Sequence, residues 1–110
     1  MKESLYQAKL LLALRAHPAL KNDAVIWKIS DRYNGGIPDF CVIYNGHTTW
    51  WEVKVAPRKL TKLQEYYLAK INGNVIVSAG DWKNNWIRGD ARAWRLPELV
   101  EEIVRRCLDV

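Results

Sequence analysis

Asp39, Glu52 and Lys54 are the residues of this chain whose types and spacing could do chemistry. Asn45-Gly46 separates two apolar runs, Asp39 to Tyr44 and Thr48 to Val55, and in that setting the dipeptide is the strongest short hairpin signal a sequence carries. With Asn45 and Gly46 as the loop, Tyr44 faces His47, and the register carried to the open end sets Asp39 opposite Glu52. Side chains alternate along a strand, so Lys54 shares the face of Glu52. Two opposed carboxylates sit about 4.5–5.5 Å apart at Cβ, where like charges destabilise. Such a pair must raise one pKa or take a cation between its members. A hard divalent ion is the simplest choice, because Mg²⁺ takes oxygen ligands and often only one or two protein carboxylates. Lys54, as an ammonium, is no ligand, but it can hold a water or an anionic phosphate beside such an ion.

A plainer alternative makes Asp39 a turn residue after Pro38, and Glu52 with Lys54 the solvated face of an edge strand. Trp50, Trp51, Val53 and Val55 make this a poor solvent-facing strand, which weakens that alternative for the three together. A bulge or longer loop would shift the register by one residue.

The elements that must position these residues follow from local patterning. Glu3 to about Ala16 carries Leu5, Ala8, Leu11, Leu12 and Arg15 at helical spacing, and Pro18 closes it. Ala24 to Ile29 reads as a strand, and Asn34-Gly35-Gly36-Ile37-Pro38 as a turn. After the hairpin, a helix from about Lys62 to Ile71 opens on Thr61 with Gln64, a capping-box pair, and stops at Asn72-Gly73. Asn74 to Ala79 is a short apolar strand of the kind buried on both faces. Gly80 to Asp90 reads as a loop, and Ala91 to Leu96 as a final short strand. A helix from Pro97 to about Leu108 presents Leu99, Val100, Ile103, Val104 and Cys107 on one face. Glu101 with Arg105, and Glu102 with Arg106, form i,i+4 pairs on its solvated side. The order is α-β-β-β-α-β-β-α, an α/β sandwich around a mixed sheet, with residues 1–110 as a single domain.

Composition narrows the classes. At 110 residues with 49% hydrophobic and 26% charged residues, the chain is globular, and no apolar run approaches a membrane span. The apolar stretch Leu10 to Leu14 is too short and interrupted for a signal peptide, so a cytoplasmic setting is expected. Cys41 and Cys107 read as core residues, and two histidines without a CxxC leave no structural zinc site. The net charge of +5 suits a polyanionic partner. Lys54, Arg58, Lys59 and Lys62 run without an intervening acid from the hairpin onto the next helix, and Arg32 precedes the glycine turn. All four of Arg32, Arg58, Lys59 and Lys62 are candidate phosphate contacts. Trp82 and Trp86 read either as core or as groups that stack on bases or fill a dimer interface.

With these residues in view, the sequence resembles the PD-(D/E)XK nucleases. Gly36-Ile37-Pro38-Asp39 matches the PD element and Glu52-Val53-Lys54 the ExK element. Within that superfamily it is most similar to stand-alone virus-type replication–repair (VRR-NUC) nuclease domains. These share the G-x-P-D turn, the strand ending in E-V-K and a helix opening on glutamine, here Leu63-Gln64-Glu65-Tyr66-Tyr67. The likeness covers residues 3 to about 79 and, more loosely, the remainder.

The resemblance implies a restriction-endonuclease-like αβββαβ core, its central mixed sheet flanked by helices, with a C-terminal helix added. It makes Asp39 and Glu52 ligands of Mg²⁺, for which Mn²⁺ can substitute, with the Val53 backbone carbonyl a third ligand. Lys54 matches the lysine that positions or activates the attacking water. Gln64 matches a glutamine near the scissile phosphate, a role that stands beside its capping one. Glu3 matches an acid on the first helix and is a further candidate metal ligand, although a carboxylate is favoured in any first helical turn. The implied activity is metal-dependent, structure-selective cleavage of branched DNA such as a Holliday junction, by a homodimer, in phage-type replication, repair or recombination. Alternatives are a non-catalytic nucleic-acid-binding module that keeps the fold, and a nuclease that depends on a partner.

Overall fold

The structure is a computed structural model that describes residues 2–29 and 35–109. Its elements are α1 (Glu3–Ala16), β1 (Ala24–Lys28), β2 (Phe40–Tyr44), β3 (His47–Val55), α2 (Lys62–Ile71), β4 (Asn74–Ser78), β5 (Asn85–Ile87), β6 (Ala93–Trp94) and α3 (Leu96–Leu108). The strands form one mixed sheet in chain order. Every neighbouring pair is antiparallel except β3 and β4, because α2 returns the chain across the sheet before β4 begins. Among the described residues no helix is long and apolar enough to cross a membrane.

The hairpin has the expected register, from Tyr44 opposite His47 to Phe40 opposite Trp51. Asn45 and Gly46 take φ of 54° and 79°, the left-handed pair that a two-residue loop of matching twist demands. One sheet face, with Phe40, Val42, Trp51, Val53, Ile76 and Ile87, packs under α1 and α3 as the main core. Glu52 and Lys54 alternate onto the opposite face. Cys41 and Cys107 are buried free thiols.

Two expectations about the framework need correction. Gly80 to Asp90 contains β5, which makes nine elements where eight were expected. Asn85 has a turn-former's composition, yet it is fully buried because its amide is satisfied three times. It accepts from Tyr6 Oη at 2.7 Å and donates to the carbonyls of Trp82 and Trp94. In α1 the buried face is Tyr6, Gln7, Leu10, Leu11 and Leu14, while Leu5 and Leu12 are 60% and 71% exposed. This helix is apolar almost all round, so its period selects no face. The Tyr6 bond to Asn85 and the Tyr6 stack on Trp82, with centroids 5.1 Å apart, select it. Trp82 is thereby packed against α1, where Lys9 also lies over its ring at 4.5 Å.

On α3 the five expected apolar residues are buried. Its ion pairs differ in part from expectation. Glu102 pairs with both Arg105 and Arg106, and Glu101 turns instead to His17 at the end of α1, 2.9 Å away. A partner at i+3 competes with the one at i+4, and only the tertiary fold brings His17 within reach.

Candidate functional site

The site forms where β3 outruns its partner. β3 has nine residues and β2 only five, so the last residues of β3 have no β2 backbone beside them. Ala56 N bonds the Ser78 carbonyl on the β4 side, so the N–H groups of Val53 and Val55 point the other way. Both are met by carboxylates. Val53 N donates to Asp39 Oδ2 at 2.7 Å, and Val55 N donates to Glu3 Oε2 at 3.2 Å. The Val53 carbonyl faces the same side as its N–H, where the register puts Pro38, which has no N–H to give.

The turn that carries Asp39 is fixed from both directions. The Asp39 carbonyl accepts from Ile29 N at 2.8 Å, which ties it to the end of β1. Gly36 lies so close to the first turns of α2 that a Cβ there would meet Leu63 Cγ at 2.7 Å. Only glycine fits that approach, so the turn is clamped between β1 and α2.

Glu52 is 2% exposed and Lys54 5% exposed. The Asp39 and Glu52 carboxyl groups lie against each other, as the register required. Burial chiefly, then the Asp39 carboxyl and the Glu3 charge, push the Glu52 carboxyl up to about 9, against the opposing pull of Lys54. Lys54 Nζ stands 3.9 Å from Glu3 Oε1, and Arg58 Nη1 stands 3.7 Å from Glu3 Oε2. Asp39, Glu3 and Arg58 border a cleft of about 590 Å³, while Glu52 and Lys54 lie buried behind them.

Asp39, Glu52, Lys54, Glu3 and Arg58 therefore come together. Gln64 takes the capping role at α2. Its Oε1 accepts from Thr61 N at 2.9 Å while its own N–H donates to Thr61 Oγ1. Lys59 and Lys62 are exposed, and Arg32 lies outside the described residues. Sequence reasoning missed Gln7, which is buried on the cleft wall one helical turn beyond Glu3. Its i,i+4 spacing from that acid was the available signal.

Among the described residues, no three His, Cys, Asp or Glu gather as a metal cluster. The donor set is instead two carboxylates and a carbonyl, all hard oxygens. That set fits Mg²⁺ or Mn²⁺, which keep water and substrate oxygens in their remaining positions, and it is a poor set for zinc. The buried Glu52 carboxyl in contact with the half-buried Asp39 carboxyl is also a pair that a divalent cation would relieve.

No family model matches the chain. No curated protein matches it either.

Proposed function

We propose that the protein is a metal-dependent endodeoxyribonuclease that hydrolyses DNA phosphodiester bonds. What supports this is the buried Glu52 in contact with the half-buried Asp39 and with Lys54 beside it, next to a cleft that Asp39 lines, in a chain of net charge +5. A divalent cation held by Asp39, Glu52 and the Val53 carbonyl supplies Lewis-acid charge for a phosphoryl oxygen and for water.

The protein's own groups do the rest. The bond from Val53 N–H fixes the Asp39 carboxylate, so it is aimed before anything binds. Lys54 places a fixed positive charge where the phosphate gathers negative charge in the in-line transition state, and burial keeps solvent from screening it. Glu3 holds that ammonium in position. Products with a 5′-phosphate and a 3′-hydroxyl follow from attack by water with the 3′-oxygen as leaving group. Arg58, Lys59 and Lys62 grip the backbone by charge, and a module this small reads DNA shape more readily than sequence. The preferred substrate is branched DNA such as a four-way junction, and a homodimer supplies the two sites for paired nicks.

Labelled four-way junction, flap, single-stranded and linear duplex DNA, incubated with Mg²⁺, Mn²⁺ or EDTA, test this. Cutting that needs the metal and falls about 10²–10³-fold in Lys54→Ala is the expected result. Binding without any cutting in either metal would replace the nuclease with a binding module or a partner-dependent enzyme.

A further inference from the structure

We infer that the outer edge of β1 is a dimerisation surface, to which a second copy of this chain adds its own β1, antiparallel, across a two-fold axis at Ile26. The interface rests on the homodimer proposed above and gives it a place in the fold.

The two edges of the sheet are β1 and β6, and they differ. β6 has only two residues, too few to template a partner, whereas β1 offers five with an unbroken register. Ile29 N–H bonds the Asp39 carbonyl, so alternate residues face β2, while Ala24, Ile26 and Lys28 turn their backbone groups outward. Two of these groups are held within the chain. Ala24 N–H bonds the Leu20 carbonyl, and Arg15 reaches the Ile26 carbonyl through an exposed bond of 3.3 Å. Among the described residues, nothing meets the Ile26 and Lys28 N–H groups or the Ala24 carbonyl. Val25 and Trp27 stand along this edge, 47% and 59% exposed. By register through Cys41 and Trp50, they lie on the sheet face of Glu52 and Lys54.

A copy of β1 fits what is left open. About an axis at Ile26, the two Ile26 residues exchange both backbone bonds once Arg15 swings away, and each Lys28 N–H meets the partner's Ala24 carbonyl. Trp27 falls opposite the partner's Val25, so each copy covers the other's exposed apolar pair. Lys28 ends β1 and Asp23 precedes it, both exposed. Antiparallel pairing brings each Lys28 beside the partner's Asp23, a charge match that parallel pairing would not make. The axis runs perpendicular to the sheet, so both Glu52 faces look the same way. From the axis each Glu52 lies three residues along and two and a half strand spacings across, which sets the two sites roughly 30 Å apart. One branched DNA can lie across both.

Sedimentation velocity in EDTA without DNA, from about 1 to about 200 µM protein, reads the dimer apart from any cutting. Wild type should dimerise in this range. Trp27→Ala should raise the dimer Kd about 10-fold or more, because the axis counts each substitution twice. Lys28→Asp should weaken the dimer by about as much, and Asp23→Lys combined with Lys28→Asp should bring it back near wild type. All three positions are exposed, and thermal unfolding checks that each variant is folded. A chain that stays monomeric, a Kd indifferent to Trp27→Ala, or a swap that fails to restore pairing overturns the inference. So does a monomer that binds single-stranded DNA and loses it in Trp27→Ala, which assigns the face to base stacking. A dimer with the expected responses that never cuts DNA in Mg²⁺ or Mn²⁺ sinks the nuclease and keeps the interface. Cutting by a monomer does the reverse.

Discussion

Replacing Glu52 by glutamine isolates the energetic consequence of the buried acid pair. A free glutamate titrates near 4.5, whereas burial and the Asp39 carboxyl raise Glu52 to about 9. Between those values the folded protein holds a proton that the unfolded chain has released. Folding stability from this group is therefore complete below pH 4.5 and declines as pH rises toward 9. The slope is one factor of ten in the folding equilibrium per pH unit, so pH 5 to pH 7.5 removes about 3 kcal/mol. Glutamine keeps the size and puts an amide N–H in place of the O–H that a protonated Glu52 offers Asp39, but it has no proton to lose. Urea unfolding followed by the fluorescence of the six tryptophans, in EDTA across that range, reads the difference. Glu52→Gln should gain about 3 kcal/mol on the wild type between pH 5 and pH 7.5. Mg²⁺ or Mn²⁺ should stabilise the wild type progressively more as pH rises, because binding releases the proton, and should leave the variant unmoved. A difference that stays flat with pH, or that reverses, refutes the shared-proton account of this pair.

Other perturbations follow from the same geometry. Gly36→Ala drives a methyl into Leu63 and Tyr67, and thermal unfolding should show a loss of about 1–3 kcal/mol as the Asp39 turn is pushed off α2. Alanine at Arg58, Lys59 or Lys62 should each lower the salt slope of DNA binding by about 0.9 if the native side chain neutralises one phosphate, as titrations at several salt concentrations would show. Arg105 first, and Arg106 with it, hold the Glu102 carboxyl at about 2, so Glu102→Gln should cost on the order of 1 kcal/mol at pH 7. That deficit should fade as pH falls from 4.5 toward 2, because the stability of a depressed carboxylate is lost on protonation; urea titrations at pH 3 and pH 7 compare the two.

Local chemistry decided much of this protein before any tertiary packing formed. Asn45-Gly46 needs two left-handed residues in a row, which fixes one turn, one register and hence Asp39 opposite Glu52. Thr61 with Gln64, and Asn72 in the left-handed region, set both ends of α2 from within five residues of each. The apolar stripe of α3 is narrow enough to name its buried face. Where the sequence was degenerate, the fold chose. α1 is apolar on nearly every side, and its buried face was set by Asn85, Trp82 and the core beneath it, all distant in sequence. β5 is too short to announce itself and exists because β4 offers it an open edge. The last residues of β3 need hydrogen-bond acceptors that β2 is too short to provide. Asp39 and Glu3 supply them from fourteen and fifty-two residues away. Glu3 thus joins Glu52 and Lys54 through hydrogen bonding and ion pairing between remote segments, which no spacing along the chain encodes.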